Sequence, residues 1–133
     1  MRLLVLMMIV SLALPVGSTL AADNRIQQAT DRAAHDYLKL GLIQADGGND
    51  EEAAKAFQQA VSTKPDWAEA RSLLGSALAR CGKYREAEEQ LRKAVVLKPD
   101  YAEGWYYLGM FLKDRGKTQE AEKAFQKAKQ LAR

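Results

Sequence analysis

Cys81 and His35 are the single thiol and the single imidazole of the chain, and the chemistry either could do needs company. A structural or catalytic metal takes three or four ligands drawn from Cys, His and carboxylates, and His35 has no second histidine and no cysteine near it in sequence. Asp36 adjoins it, but neighbouring residues on a helix do not face each other. A nucleophilic triad would have to be built around His35. Ser62, Ser72 and Ser76 carry none of the glycine framing of a nucleophile elbow. No phosphate-cradling loop and no dinucleotide fingerprint occurs either. The expectation is a protein that is not an enzyme, with no cofactor and no metal. A lone cysteine forms no internal disulfide. Cys81 reads as a small apolar filler at a helix end, with an intermolecular disulfide or redox handle as the alternative.

With so little to position, the order of the chain lies elsewhere, in a period. Pro65 and Pro99 are 34 residues apart, and the same step joins Gly41, Gly75 and Gly109. It also joins Leu40, Leu74 and Leu108; Gly48, Gly82 and Gly116; and Ala53, Ala87 and Ala121. Phe57, Leu91 and Phe125 follow it, as do Ala60, Ala94 and Ala128. A fixed period of this length marks a stacked repeat architecture. Gly41, Gly75 and Gly109 fall mid-helix, where glycine costs about 1 kcal/mol against alanine, a cost that close approach of a second helix explains. The paired alanines are seven apart and share one face of that second helix. Gly48, Gly82 and Gly116 stand where the first helix must stop, as left-handed caps. Asp66 with Glu69, and Asp100 with Glu103, read as N-caps with an acid three residues on. Each unit is then two antiparallel helices.

The recurring residues resemble the tetratricopeptide repeat. That family has a leading aromatic, then Leu-Gly, a mid-unit Ala, a large apolar residue, another Ala and a closing Pro. Tyr37 and Trp105 fill the aromatic position, and Arg71 departs from it. Gln44, Leu78 and Leu112 stand where the family usually has Tyr. The resemblance implies an all-α fold, a right-handed α-solenoid of three helix-turn-helix units at 34–67, 68–101 and 102–133. A lead at 23–33, with Ile26, Ala29 and Ala33 at helical spacing, extends the first helix. Val61 and Val95 share a register with Lys129, so the third unit is expected to present a polar outer face, as a capping repeat does.

Residues 1–22 have the pattern of a secretory signal peptide preceding the solenoid: Arg2, an apolar run from Leu3 to Leu14, Pro15, then small residues up to Ala22. Cleavage after Ala21 or Ala22 fits. The alternative is an uncleaved membrane anchor, since about 20 uncharged residues can span a bilayer. The expected location is periplasmic or secreted, with inner-membrane anchoring as the minority reading and no membrane contact after cleavage. Removing the leader takes away Arg2 and no acid, leaving 19 of the 20 basic residues against 17 acidic ones. Near neutrality with interspersed signs excludes a nucleic-acid footprint.

What remains is a surface. In stacked helix pairs the first helices line a concave face used for binding. The resemblance implies ligand-facing residues at the second, fifth, ninth and twelfth or thirteenth positions of each unit. The groove so mapped takes Leu38 and Leu42 from the first unit, and Ser72 and Ser76 from the second. The third gives Tyr106, Tyr107, Met110 and Lys113. Family members that serve as co-chaperones grip a carboxylate with Lys, Asn and Arg. At the matching positions this chain has Leu38, Leu42, Leu73, Glu103 and Tyr107, which removes that ligand. An apolar and aromatic floor suits an amphipathic helix or an extended segment with large side chains. The function expected is a non-enzymatic adaptor of the cell envelope that binds a protein or peptide partner. For family members with such leaders, the resemblance implies envelope assembly, secretion, pilus or cytochrome maturation. The alternative is a self-associating structural protein, a homo-oligomer joined through the groove or Cys81.

Overall fold

The computed structural model describes residues 16–133, so most of the leader segment lies outside the described residues. Six helices follow in order: α1 Val16–Asp46, α2 Asp50–Thr63, α3 Ala68–Arg80, α4 Tyr84–Leu97, α5 Ala102–Asp114 and α6 Thr118–Leu131. No strand occurs among the described residues, and none of their helices is long and apolar enough to cross a membrane. The architecture is an all-α helical repeat of three hairpins. The segment 23–33 is part of α1, which is one continuous helix.

The glycines do two separate jobs. Gly48, Gly82 and Gly116 have φ of 76°, 79° and 77°. At each, two backbone bonds close the helix end: Gly82 N–H donates to Ala79 O at 3.0 Å and Lys83 N–H to Leu78 O at 2.9 Å. This is the Schellman closure, which only a left-handed residue allows without strain. Gly41, Gly75 and Gly109 instead let the two helices of a hairpin touch. A Cβ on them would come within 2.5 Å of the Phe57 ring, 2.6 Å of Leu91 and 2.8 Å of the Phe125 ring. Each mid-helix glycine thus receives the large apolar residue of its own second helix.

The starts of α3 and α5 differ from the expectation. Asp66 and Asp100 do not cap them. The cap positions are Trp67 and Tyr101, in extended backbone and without a side-chain cap bond. The helix starts later because the turn closes on backbone alone, with Trp67 N–H donating to Lys64 O and Tyr101 N–H to Lys98 O, both at 3.2 Å. The aromatic ring is then held from above: Lys64 Nζ lies 5.5 Å from the Trp67 ring centre, and Lys98 Nζ 5.4 Å from that of Tyr101. Glu69, meant to complete the cap, bonds Lys98 Nζ at 2.6 Å instead.

The core runs through the hairpins from Ala53 and Phe57 to Leu112 and Ala121. Val61 and Val95 are buried between units, whereas Lys129 in the same register is exposed.

Candidate binding groove

The first helices of the hairpins, α1, α3 and α5, form the floor of a trough. One hollow of about 190 Å³ lies between α1 and α3, bordered by Leu42, Ala45, Asp46, Leu73, Ser76, Arg80 and Tyr107. A second of about 430 Å³ lies between α3 and α5, bordered by Ser76, Ala79, Arg80, Tyr106, Tyr107, Met110, Asp114 and Arg115, with Tyr84 of α4. Ser76, Arg80 and Tyr107 border both, so the two hollows are one continuous trough.

Of the eight residues expected in the groove, the structure brings five together: Leu42, Ser76, Tyr106, Tyr107 and Met110. Leu42, Tyr106 and Met110 are 42%, 51% and 39% exposed. Tyr106 and Tyr107 meet edge to face, ring centres 6.3 Å apart, and Tyr106 also reaches Phe125 at 5.8 Å. Both tyrosines therefore line the trough.

The other three stand elsewhere. Ser72 is fully buried, because α5 comes so close that a Cβ on Gly104 would lie 3.4 Å from Ser72 Oγ. Leu38 is half-buried against the core. Lys113 is exposed in the last turn of α5 and borders neither hollow. His35 is also off the floor: its Nδ1–H donates to Asp31 O at 2.7 Å, and its ring sits 4.6 Å from that of Trp67.

The trough has charged rims. Arg80 pairs with Asp50 of the preceding hairpin at 3.2 Å. The Arg115 guanidinium lies 3.9 Å over the Tyr84 ring, a contact worth about 0.5–1 kcal/mol at an exposed site. Tyr84 and Arg115 were not foreseen. They sit outside the stripe of first-helix residues, one opening α4 and the other following α5, so helical spacing alone does not reach them. The aromatic–lysine contacts of the turns did leave a signal, since Lys64 with Trp67 and Lys98 with Tyr101 repeat at the same 34-residue step.

Such a surface recognises by shape, stacking and apolar burial. Among the described residues no group of three or more His, Cys, Asp and Glu could hold a metal ion.

Residues 37–66 and residues 72–133 each match a tetratricopeptide repeat family model. The chain belongs to the tetratricopeptide repeat family. No curated protein matches the sequence. Among solved structures, the second tetratricopeptide domain of Spaghetti (RPAP3), bound to the HSP90 peptide SRMEEVD, is 22% identical. That match covers 80% of this chain and 98% of that one, with a TM-score of 0.73. MamA is 26% identical over 86% of this chain and 67% of its own, TM-score 0.69. The Sgt2 tetratricopeptide domain of Aspergillus fumigatus is 22% identical over 74% and 66%, TM-score 0.71. The repeats of this family generally mediate protein–protein interaction, and tetratricopeptide neighbours of this chain bind peptides.

Proposed function

We propose that this tetratricopeptide protein is an adaptor of the cell envelope, exported by its leader, that holds a helix or extended segment of a partner protein in the trough. One observation carries the reading. Leu42, Tyr106 and Met110 are large, exposed and gathered on one continuous floor, and such gathering marks an interaction site.

The partner's chemistry follows from the floor. The RPAP3 domain was solved with an acidic, carboxylate-ended peptide. At the positions where the family resemblance places the carboxylate-gripping Lys, Asn and Arg of co-chaperone members, this chain has Leu38, Leu42, Leu73, Glu103 and Tyr107. They supply no cation, and Glu103 has the wrong sign for such a ligand. An apolar face flanked by mixed charges fits better, with its large side chains beside Tyr106 and Met110 and its polar edge along Arg80 and Asp114.

Photo-crosslinking in cells tests this, with the probe at Met110 and a control probe at Lys123 on the exposed face of α6. A foreign adduct from position 110 and none from 123 is expected. Adducts only to a second copy, or none, would overturn the reading. The mass of the purified chain tests export directly: processing sets the N-terminus at Ala22 or Asp23, and an intact Met1 argues for an anchor.

A further inference from the structure

We infer that the partner segment held in the trough is extended and carries two basic side chains about six residues apart, one set on Asp46 and the other on Asp114, with apolar side chains between them. The inference rests on the trough being the binding face, and adds which segment that face selects.

The charges along one edge set the ends. Asp46, Arg80 and Asp114 stand in one register and are the last residues of α1, α3 and α5. Asp46 and Arg80 border one hollow, Arg80 and Asp114 the other. The arginines of this edge are already engaged. Arg80 pairs with Asp50 and Arg115 lies over Tyr84, each bracing the first residue of the second helix in the hairpin before. The carboxylates are not engaged: among the described residues, neither Asp46 nor Asp114 makes an ion pair. Each also ends its helix, where the dipole is negative, repels a carboxylate and attracts a cation. In α3 the Arg80 guanidinium fills that place. The last turn of α1 has no basic residue, and Lys113 in the last turn of α5 borders neither hollow. A cation arriving at Asp46 or Asp114 therefore meets a carboxylate and a helix terminus together.

The floor between those ends sets the backbone. Ser76 and Tyr107 border both hollows, and Tyr106 borders the larger. Among the described residues, none of these three hydroxyls bonds a protein group. An extended segment offers its backbone N–H and C=O groups to such hydroxyls, whereas a helix satisfies its own internally. Packed helix axes stand about 8–10 Å apart, so Asp46 and Asp114, two helices apart, are separated by about 16–20 Å. An extended chain covers that distance in about five or six residues. The side chains between the two basic ones then lie over Leu42, Tyr106 and Met110, the exposed apolar groups of the floor.

The test uses the chain as cells produce it and two fluorescent synthetic peptides, Ser-Lys-Leu-Ser-Phe-Ser-Leu-Lys-Ser and the same peptide with Glu in place of both Lys. By anisotropy the Lys peptide should bind at least ten-fold more tightly than the Glu peptide, and added salt should narrow the gap. Asp46→Asn with Asp114→Asn should remove most of that preference without lowering the melting temperature, since neither change breaks an ion pair. Asp46→Lys with Asp114→Lys should reverse it, whereas Glu122→Gln on α6 should leave it unchanged. Equal affinity for the two peptides, both lost in Met110→Glu, would overturn the charge assignment and leave the trough reading standing. A Lys peptide locked as a helix that binds as tightly as the flexible one would overturn the extended backbone. No binding of either peptide, with the foreign adduct from position 110 still formed in cells, would overturn this inference alone. Binding that survives Met110→Glu would overturn the trough reading with it.

Discussion

Arg71 donates its Nε–H to the carbonyl oxygen of Pro65 at 2.7 Å, the bond that Trp105 Nε1–H makes to Pro99 at 2.8 Å one repeat later. The second unit thus departs from the family's aromatic without losing the anchor. A side chain that can carry an N–H back to the proline carbonyl satisfies the position. Arg71 adds a second bond, Nη1 to Gln90 Oε1 at 2.7 Å, which ties α3 to α4.

Arg71→Ala should therefore lower stability by about 1–2 kcal/mol, since it removes two charge-assisted bonds from a half-buried site. Arg71→Trp should cost less than half as much, keeping the bond to Pro65 and losing the one to Gln90. Denaturant unfolding of both variants checks this. Equal losses would show that the proline carbonyl is not the target that matters.

Ser72 gives a prediction of the opposite sign. Its hydroxyl is fully buried with no hydrogen-bond partner, and an unpaired buried group costs about 1–3 kcal/mol. Ser72→Ala should be neutral or raise the melting temperature. Ser72→Tyr, which copies Tyr106 in the next unit, should cost more than about 2 kcal/mol because Gly104 leaves no room for a ring. Thermal melts of the two variants should move in opposite directions.

Acid should weaken the join between the second and third hairpins. Burial pushes the Glu88 carboxyl up, but hydrogen bonds from Arg92 at 2.7 Å and Lys117 at 3.0 Å outweigh it and hold the group below the usual carboxylate value. A depressed carboxylate stabilises the fold above its unfolded pKa of about 4.3, and that stability is lost as pH falls through the folded value. These pairs are substantially exposed, so each contributes only about 0.2–1 kcal/mol. Glu88→Gln should lower stability slightly at pH 7 and flatten its fall between about pH 5 and 3, measured by urea unfolding across pH.

Cys81 should be slow to react. Burial first, then the carboxylates of Asp50 and Glu51, push its thiol above the ordinary value, with Lys83 opposing them. The thiolate is the reactive form, so iodoacetamide at neutral pH should alkylate the folded chain several-fold more slowly than the unfolded one. Equal rates would restore the redox reading of this residue.

The hairpins were legible in the sequence because each is specified by a local pair. Gly41 with Phe57, Gly75 with Leu91 and Gly109 with Phe125 carry their contact in residue type and spacing. The trough was legible only as a stripe. Ser72 and Tyr106 occupy one register, yet the first is sealed by α5 and the second is half exposed. The spacing of residues names a face, and what lies over that face is decided by the next hairpin. Asp66 and Asp100 misled for a related reason. Both look like caps, but the aromatic that follows each is held under a lysine, and the helix waits for it. Arg115 and Tyr84 lie where the chain turns, beyond the reach of helical periodicity.

Ala34 is the first buried residue of α1 among those described, although the helix starts at Val16. A peptidase trimming the chain at Ala21 or Ala22 would leave every core side chain where it stands. Trimmed and untrimmed forms should therefore melt alike, and maturation would be invisible to the hairpins, since they are assembled entirely downstream of the cut.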